Sequence, residues 1–98
     1  MDKKAFDNTG KSNTIVYTIS WNKVKSARLK RMRGVSFEEI IKSEYLDTIG
    51  HPSRNDQQIF IFNYNGYVWA VPFVVDSEGV FLKTLYKSRK FYKIYKGR

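Results

Sequence analysis

Two stretches of this sequence are rich in basic side chains that can hold phosphate groups. Residues 23–33 contain six lysines and arginines and residues 83–98 contain seven, with no acidic residue in either stretch. Residues 35–79, which lie between them, contain two basic and seven acidic residues. Because each contact with a phosphate releases counterions, two such stretches that meet in space favour binding to a polyanion. The alternatives are a charged face that only keeps the protein in solution and a membrane-surface role, for which a clean apolar face is lacking.

Basic side chains and tyrosines can also cleave RNA without a metal ion. The ribose 2′-hydroxyl attacks the neighbouring phosphorus, which requires a base, positive charge for the phosphorane oxygens and an acid for the leaving 5′-oxygen. Arg89 is the first candidate, because a guanidinium can fork onto a phosphate. Its position in the first turn of a predicted helix opposes the helix dipole, which favours a functional role over that of an ordinary surface charge.

Three further side chains are candidates for this reaction. Lys83 lies on a predicted strand between Leu82 and Thr84, so it faces opposite to both and should point to an open face of the sheet. His51 belongs to the one residue type that changes charge near neutral pH, so it can serve as acid or base, and Arg54 shares its loop. The alternative for His51 is an exposed loop histidine without a role.

Other residues are expected to bind RNA. Aromatic rings interleave with lysines near the C-terminus and can stack on unpaired bases, although for Phe91 we prefer a place in the core. The predicted RNA-binding set is Lys25, Arg28, Arg31, Lys90 and Tyr92.

The absence of cysteine and the single histidine exclude thiolate catalysis, zinc–thiolate sites and multi-histidine metal sites. No cluster of acidic residues indicates a magnesium site, so we expect neither a metal nor a cofactor. No apolar run is long enough to cross a bilayer, and residues 1–10 lack the apolar stretch of a signal peptide. We therefore expect a cytoplasmic location and no association with a membrane.

The length of 98 residues with 42% hydrophobic content predicts one domain with one core. Residues 1–13 carry little that can be buried and are predicted to be a flexible tail, and residues 14–98 are predicted to form the domain. The patterns predict the α+β order β-α-α-β-β-β-α. Two hairpins and the first strand would form an antiparallel sheet of about four strands, with helices on one face and RNA on the other.

Local signals delimit these elements. Ser20 or Asn22 can cap the first helix, and Ser36 with Glu39 forms a capping box for the second. Asn65-Gly66 predicts a hairpin, and Pro72 predicts a bulge or an unpaired position within its strand. The predicted strands are 14–20, 57–64, 67–75 and 80–87, the helices 21–33, 36–43 and 89–96, and the loop 45–56. The apolar side of the first helix is predicted to be Trp21, Val24, Ala27 and Met32.

Two segments of the chain resemble a known family. The run WNKVKSARLKRMRGVSFEEI is similar to the opening of the BrnT family, within the RelE/ParE superfamily of bacterial type II toxins. LKTLYKSRKFYKIYKGR resembles the final strand of that family, followed by a Ser-Arg pair and a helix rich in lysine and tyrosine. The resemblance covers about residues 20–98, and Arg33 stands where the family typically has a histidine before the glycine.

The resemblance implies a RelE-like fold and a toxin that cleaves mRNA, free or on the ribosome, and so arrests translation. It also implies a cognate antitoxin, often a small DNA-binding protein. Arg89 matches the arginine of the Ser-Arg motif, and Tyr95 lies at a spacing from it similar to that of a site tyrosine in the wider group, with Tyr92 as the alternative. Two other functions remain open: a basic nucleic-acid-binding module without catalysis, and a toxin of the same fold that acts on gyrase.

Overall fold

The computed structural model describes residues 18–96, so the predicted tail and residues 14–17 of the predicted first strand lie outside the described residues. The chain is an α+β protein in which three helices pack on one sheet. The strands are β1 (Ile19–Ser20), β2 (Glu44–Gly50), β3 (Gln58–Tyr64), β4 (Tyr67–Asp76), β5 (Gly79–Leu82) and β6 (Tyr86–Lys87), and the helices are α1 (Lys23–Arg33), α2 (Phe37–Ile40) and α3 (Arg89–Tyr95).

The sheet is larger than the four strands predicted. Its order is β1-β5-β4-β3-β2, with β6 paired to β4 beyond the end of β5. It is also mixed, because β1 runs parallel to β5 while the other pairs are antiparallel. The parallel pair joins the beginning of the described chain to β5, which brings the start of α1 next to the end of β5.

Helices cover both faces of the sheet, so the prediction of helices on one face was wrong. Leu29 of α1 and Phe37 of α2 belong to a buried cluster that includes Phe60. Phe91 of α3, which is buried as predicted, belongs to a second cluster with Ile61. Since Phe60 and Ile61 are consecutive on β3, they point to opposite faces. The two basic stretches therefore supply helices to opposite faces of the sheet and do not form one open binding surface.

The apolar side predicted for α1 was also wrong. Val24 is 74% exposed and Met32 67% exposed, whereas the buried residues of this helix are Ser26 and Leu29. Burial of Ser26 is possible because its hydroxyl donates to Glu38 Oε1 at 2.5 Å and accepts from the Phe37 amide at 2.9 Å. A satisfied serine thus replaces an apolar contact between α1 and α2.

Strand β2 occupies the first half of the segment predicted as the loop 45–56, and the loop itself is residues 51–57. It is an edge strand, paired only with β3, and its register shifts between Tyr45 and Asp47. Its apolar residues are at most half-buried, so the strand shows no clear alternation. The Asp47 carboxylate accepts from the Thr48 amide at 2.8 Å, so one backbone N–H of this edge strand is already hydrogen-bonded.

The capping and turn predictions are confirmed. Asn22 is the N-cap of α1, and its side chain accepts from the Lys25 amide at 2.8 Å. Gly34 ends the helix with φ +86°. The capping box predicted before α2 is formed, although the helix ends at Ile40 and a turn follows. At the hairpin, Asn65 and Gly66 both have positive φ, as a two-residue turn of this type requires.

The strand predicted over 80–87 is interrupted at Lys83–Leu85, which separates β5 from β6. The pairing with β4 shifts by one residue across this gap, from Phe73↔Leu82 to Ala70↔Tyr86. Pro72 lies opposite: its carbonyl accepts from the Lys83 amide at 2.8 Å, but it has no N–H to return. Pro72 itself stays in register with β3, so the expected irregularity falls on the partner strand.

Candidate nucleic-acid interface

A cleft of about 360 Å³ lies between the start of α1 and the end of β5. It opens where β1 stops at Ser20, opposite Phe81, and the chain turns into α1. Its lining combines cationic, amide and apolar side chains: Asn22, Val24, Lys25, Arg28, Phe81, Leu82 and Lys83. Three of the predicted functional residues, from stretches more than fifty positions apart in sequence, therefore meet here.

In the described part of the chain, no acidic side chain neutralises the three cations of the cleft. Among residues 18–96 the only ion pair is Lys30–Glu39, at 2.8 Å. The first turn of α1 also lacks an acidic residue, whereas α2 has Glu38 and Glu39 in its first turn. Cations at the positive end of a helix are unfavourable unless an anion is bound there. Carboxylates thus compensate the dipole of α2, whereas the first turns of α1 and α3 contain none.

The electrostatic effect of this grouping falls on Lys25. Burial, followed by the positive charges of Arg28, Lys83 and Arg33, lowers the pKa of the half-buried Lys25. Lys83 therefore lies near enough to α1 for its charge to act on Lys25. A bound phosphate would relieve this repulsion.

Lys83 reaches the cleft because of the interruption between β5 and β6. Its amide makes the last hydrogen bond to β4 before the register shifts. An irregularity of this kind in a strand changes the direction of the neighbouring side chains. The guanidinium of Arg33, at the end of α1, donates to the Leu85 carbonyl within the interruption. Arg33 therefore fastens α1 to the segment that presents Lys83.

Helix α3 carries Arg89 and Lys90 on the other side of the sheet from α1. Both side chains are exposed, and within residues 18–96 Arg89 makes no hydrogen bond or ion pair. Ser88 is the N-cap of this helix and is buried, with its amide bonded to the Val68 carbonyl at 3.0 Å. Neither Arg89 nor Lys90 is among the residues that line the cleft, so the structure does not bring Arg89 to it.

The two tyrosines of α3 hold the helix on the sheet. Tyr92 stacks on Tyr67, with ring centroids 4.5 Å apart, and Lys87 lies 5.5 Å from the Tyr67 ring. The hydroxyl of Tyr95 donates to Asp47 Oδ2 at 2.7 Å and so connects α3 to the edge strand β2. These contacts give both tyrosines structural roles, while Tyr92 keeps a half-exposed ring.

His51 and Arg54 lie in the turn that joins β2 to β3. His51 is half-buried, and its Nδ1 accepts from the Ser53 amide at 3.1 Å. The Arg54 side chain is exposed. This turn is at the same end of the sheet as Lys83, since Gly50, Gln58, Phe73 and Leu82 are paired in one row. Three strand spacings, about 14 Å, separate the turn from β5. Arg31, the remaining predicted contact, is exposed on α1 away from the cleft lining.

Three residues of the interface were not predicted as functional: Asn22, Arg33 and Phe81. Asn22 was identified only as a possible cap. Arg33 was noted only in the family comparison, because its contact with Leu85 depends on a strand interruption that sequence patterns do not reveal. Phe81 was predicted only as part of a strand. Its position two residues before Lys83, on the same side of the predicted strand, could have indicated that it lies near this cation.

No group of three or more histidine, aspartate or glutamate side chains in the described part of the chain is placed to bind a metal ion. None of the three helices is long and apolar enough to span a bilayer. The fold and the cleft thus define an α+β protein with a cationic groove at one end of its sheet. Comparison with protein-family models, with curated proteins and with solved structures finds no match for this chain.

Proposed function

We propose that this protein binds RNA in the cationic cleft and cleaves it without a metal ion, as the toxin of a bacterial type II toxin–antitoxin pair. The observation that supports the proposal is the convergence of Lys25, Arg28 and Lys83 in one cleft, where no acidic residue among positions 18–96 pairs with them. A phosphodiester in this position would meet a guanidinium and two ammonium groups.

The cleft can supply the electrostatic part of phosphodiester cleavage. Arg28 and Lys83 can stabilise the charge that develops on the phosphorane oxygens. Lys25 also binds the phosphate as an ammonium group, and its lowered pKa makes it a better proton donor than an ordinary lysine, so it is suited to protonate the leaving 5′-oxygen while solvent takes the proton of the 2′-hydroxyl. Arg89 remains a candidate for a second contact with the RNA strand.

The test is RNA cleavage and RNA binding by purified protein in EDTA. We expect cleavage by the wild type and loss of cleavage in Lys25→Ala, Arg28→Ala and Lys83→Ala. For a single strand, each of these variants should also reduce the slope of log affinity against log salt by about 0.7. Lys42→Ala is the control, because Lys42 is exposed in the turn after α2 and lies outside the cleft. Cleft variants that bind and cleave like the control would refute the proposal.

A specific observation favours a second candidate, a nucleic-acid-binding module without catalysis. Of the five residues predicted to be catalytic, only Lys83 lines the cleft. Tyr95 is engaged with Asp47, and His51 accepts a hydrogen bond within its own turn. RNA that stays intact in the presence of bound protein at every pH, together with the salt dependence described above, would establish this alternative.

The proposed antitoxin would cover the same cations. We expect it to place an acidic segment over Lys25, Arg28 and Lys83, because opposite charges would compete with RNA for the cleft. Growth of cells that express the wild-type chain from a tightly controlled promoter should stop, and Lys83→Ala should restore it. Unaffected growth with the wild type would remove the toxin assignment while leaving RNA binding to be measured in vitro.

A further inference from the structure

Phe81 of β5 is one of the residues that line the cationic cleft. Leu82, the next residue on β5, is buried in the core at 1% exposure, so the half-buried Phe81 points the other way. Phe81 packs with neither of the two buried clusters of the protein. An aromatic side chain outside the core, in a cleft lined by three cations, is not explained by the stability of the fold.

The ring of Phe81 lies next to one of the cations. Lys83 Nζ is 5.7 Å from the centroid of the Phe81 ring, within the range of a cation–π contact. Val24, which is 74% exposed, adds an apolar surface on the α1 side of the same cleft. Positive charge beside an apolar, flat surface matches the two parts of a nucleotide, an anionic phosphate and a base with an aromatic face.

We propose that the cleft holds one unpaired nucleotide of an RNA strand, with its phosphate at Lys25, Arg28 and Lys83 and its base stacked on Phe81. This inference rests on the proposed RNA binding and specifies its substrate as single-stranded. A base in a duplex is stacked on both sides by its neighbours and offers no free face to Phe81, whereas an unpaired base does. The volume of about 360 Å³ is in the range of pockets for small ligands and suits one nucleotide.

The stacking contact and the charge contacts can be separated by experiment. Phe81→Leu keeps an apolar side chain and removes the aromatic face, and Phe81→Tyr keeps the face. Tyr45→Leu is the matched control, because Tyr45 is 44% exposed on the edge strand β2 and lies outside the cleft. The probe is a short single-stranded RNA that contains one 2-aminopurine base. Its riboses are 2′-O-methylated, so it cannot be cleaved by attack of a 2′-hydroxyl. Binding of this strand is compared with binding of the same strand in a duplex.

We expect the wild type and Phe81→Tyr to quench the fluorescence of 2-aminopurine in the single strand. Phe81→Leu should not quench the fluorescence, and its affinity should be about tenfold lower, in line with the effect of removing one stacked base. The slope of log affinity against log salt should not change, because no charge is removed. The duplex should bind more weakly than the single strand and should not respond to Phe81→Leu. Melting temperatures verify that each variant is folded.

Equal binding by Phe81→Leu and Tyr45→Leu would overturn the nucleotide site, as would a duplex that binds as tightly as the single strand. Arg28→Ala and Lys83→Ala distinguish this failure from that of RNA binding itself. If they weaken binding while Phe81→Leu does not, the cleft binds the RNA backbone only. If none of these variants differs from Tyr45→Leu, RNA binding in the cleft is refuted as well.

Discussion

At the scale of single residues, Glu38 of α2 connects α2 to α1 and to the residue before the cap of α1. Its carboxylate accepts from the Ser26 hydroxyl at 2.5 Å and from Trp21 Nε1 at 3.1 Å. Because Trp21 follows β1 directly and Ser26 faces the core, these bonds fix the angle at which α1 leaves the sheet. The position of Lys25 in the cleft therefore depends on a residue that does not line it.

The bond from Ser26 is the main reason why the pKa of Glu38 is lowered from its ordinary value of 4.5. A carboxyl group with a lowered pKa in the folded state stabilises the protein above its unfolded pKa, and this contribution is lost as the pH falls through the folded value. We expect Glu38→Gln to lower the free energy of unfolding at pH 7 by about 1 kcal/mol, since the group is exposed.

The measurement is urea unfolding at pH 7 and at several values below pH 4.5, where the loss of stability with acid should be smaller in Glu38→Gln than in the wild type. Glu78→Gln serves as the control, because Glu78 is exposed in the turn between β4 and β5. If both variants lose stability with acid to the same extent, the contacts of Glu38 with Ser26 and Trp21 do not stabilise the protein.

At the scale of elements, the pairing of β1 with β5 is the contact that assembles the cleft. It requires Gly79, whose φ is +122° and whose Hα position faces the chain at Thr18. A β-carbon at residue 79 would lie 2.3 Å from the Thr18 carbonyl oxygen, which is closer than any such contact allows. The two strands can therefore approach only because residue 79 has no side chain.

We expect Gly79→Ala to destabilise the protein by about 2 kcal/mol, from the strained φ and from the displacement of β1. Gly50→Ala is the control, because a β-carbon at residue 50 meets no atom within 4 Å. Thermal unfolding of both variants measures the difference, and equal melting temperatures would show that β1 tolerates the change.

The elements that the sequence predicts correctly are those defined by local chemistry. The Ser36–Glu39 capping box, the Asn65-Gly66 turn and the Asn22 cap each depend on residues a few positions apart. Strand β2 was missed because an edge strand with half-exposed residues has no alternation to detect. The buried face of α1 was misassigned because it includes Ser26, a polar residue that is buried only by virtue of Glu38 on another helix.

The candidate site was predictable in part. The cations of residues 23–33 and Lys83 were recognised from charge alone, and three of them do meet. Their meeting point depends on the parallel pairing of strands sixty positions apart and on the strand interruption opposite Pro72, which are non-local features. The same charge reasoning misplaced the C-terminal stretch, because it could not assign α3 to the opposite face of the sheet.

At the scale of the whole molecule, two separate surfaces within residues 18–96 carry groups of cations. One is the cleft between α1 and β5, and the other is the exposed side of α3 with Arg89, Lys90 and Lys93. The sheet separates the two helices, so a short RNA strand in the cleft does not reach α3. A longer strand can contact both surfaces if it passes around the edge of the sheet.

We therefore expect Lys90→Ala combined with Lys93→Ala to leave the affinity for a short single strand unchanged and to reduce the salt slope for a long RNA by about 1.4. Lys25→Ala should reduce the slope for both lengths. Fluorescence anisotropy at several salt concentrations gives these slopes. A fall in the slope for the short strand in the α3 variant would mean that the two surfaces act as one.

The parallel pairing of Ile19 with Val80 also has a consequence for biosynthesis. Strands β2 to β5 are neighbours in sequence and can form as successive hairpins, whereas β1 must wait for a partner sixty residues later, and closing so long a loop is slow. During translation, α1 emerges from the ribosome long before β5 exists. A nascent chain that ends just after α1 thus carries half of the lysines and arginines of the sequence, and the cleft that groups some of them forms only once β5 has been made.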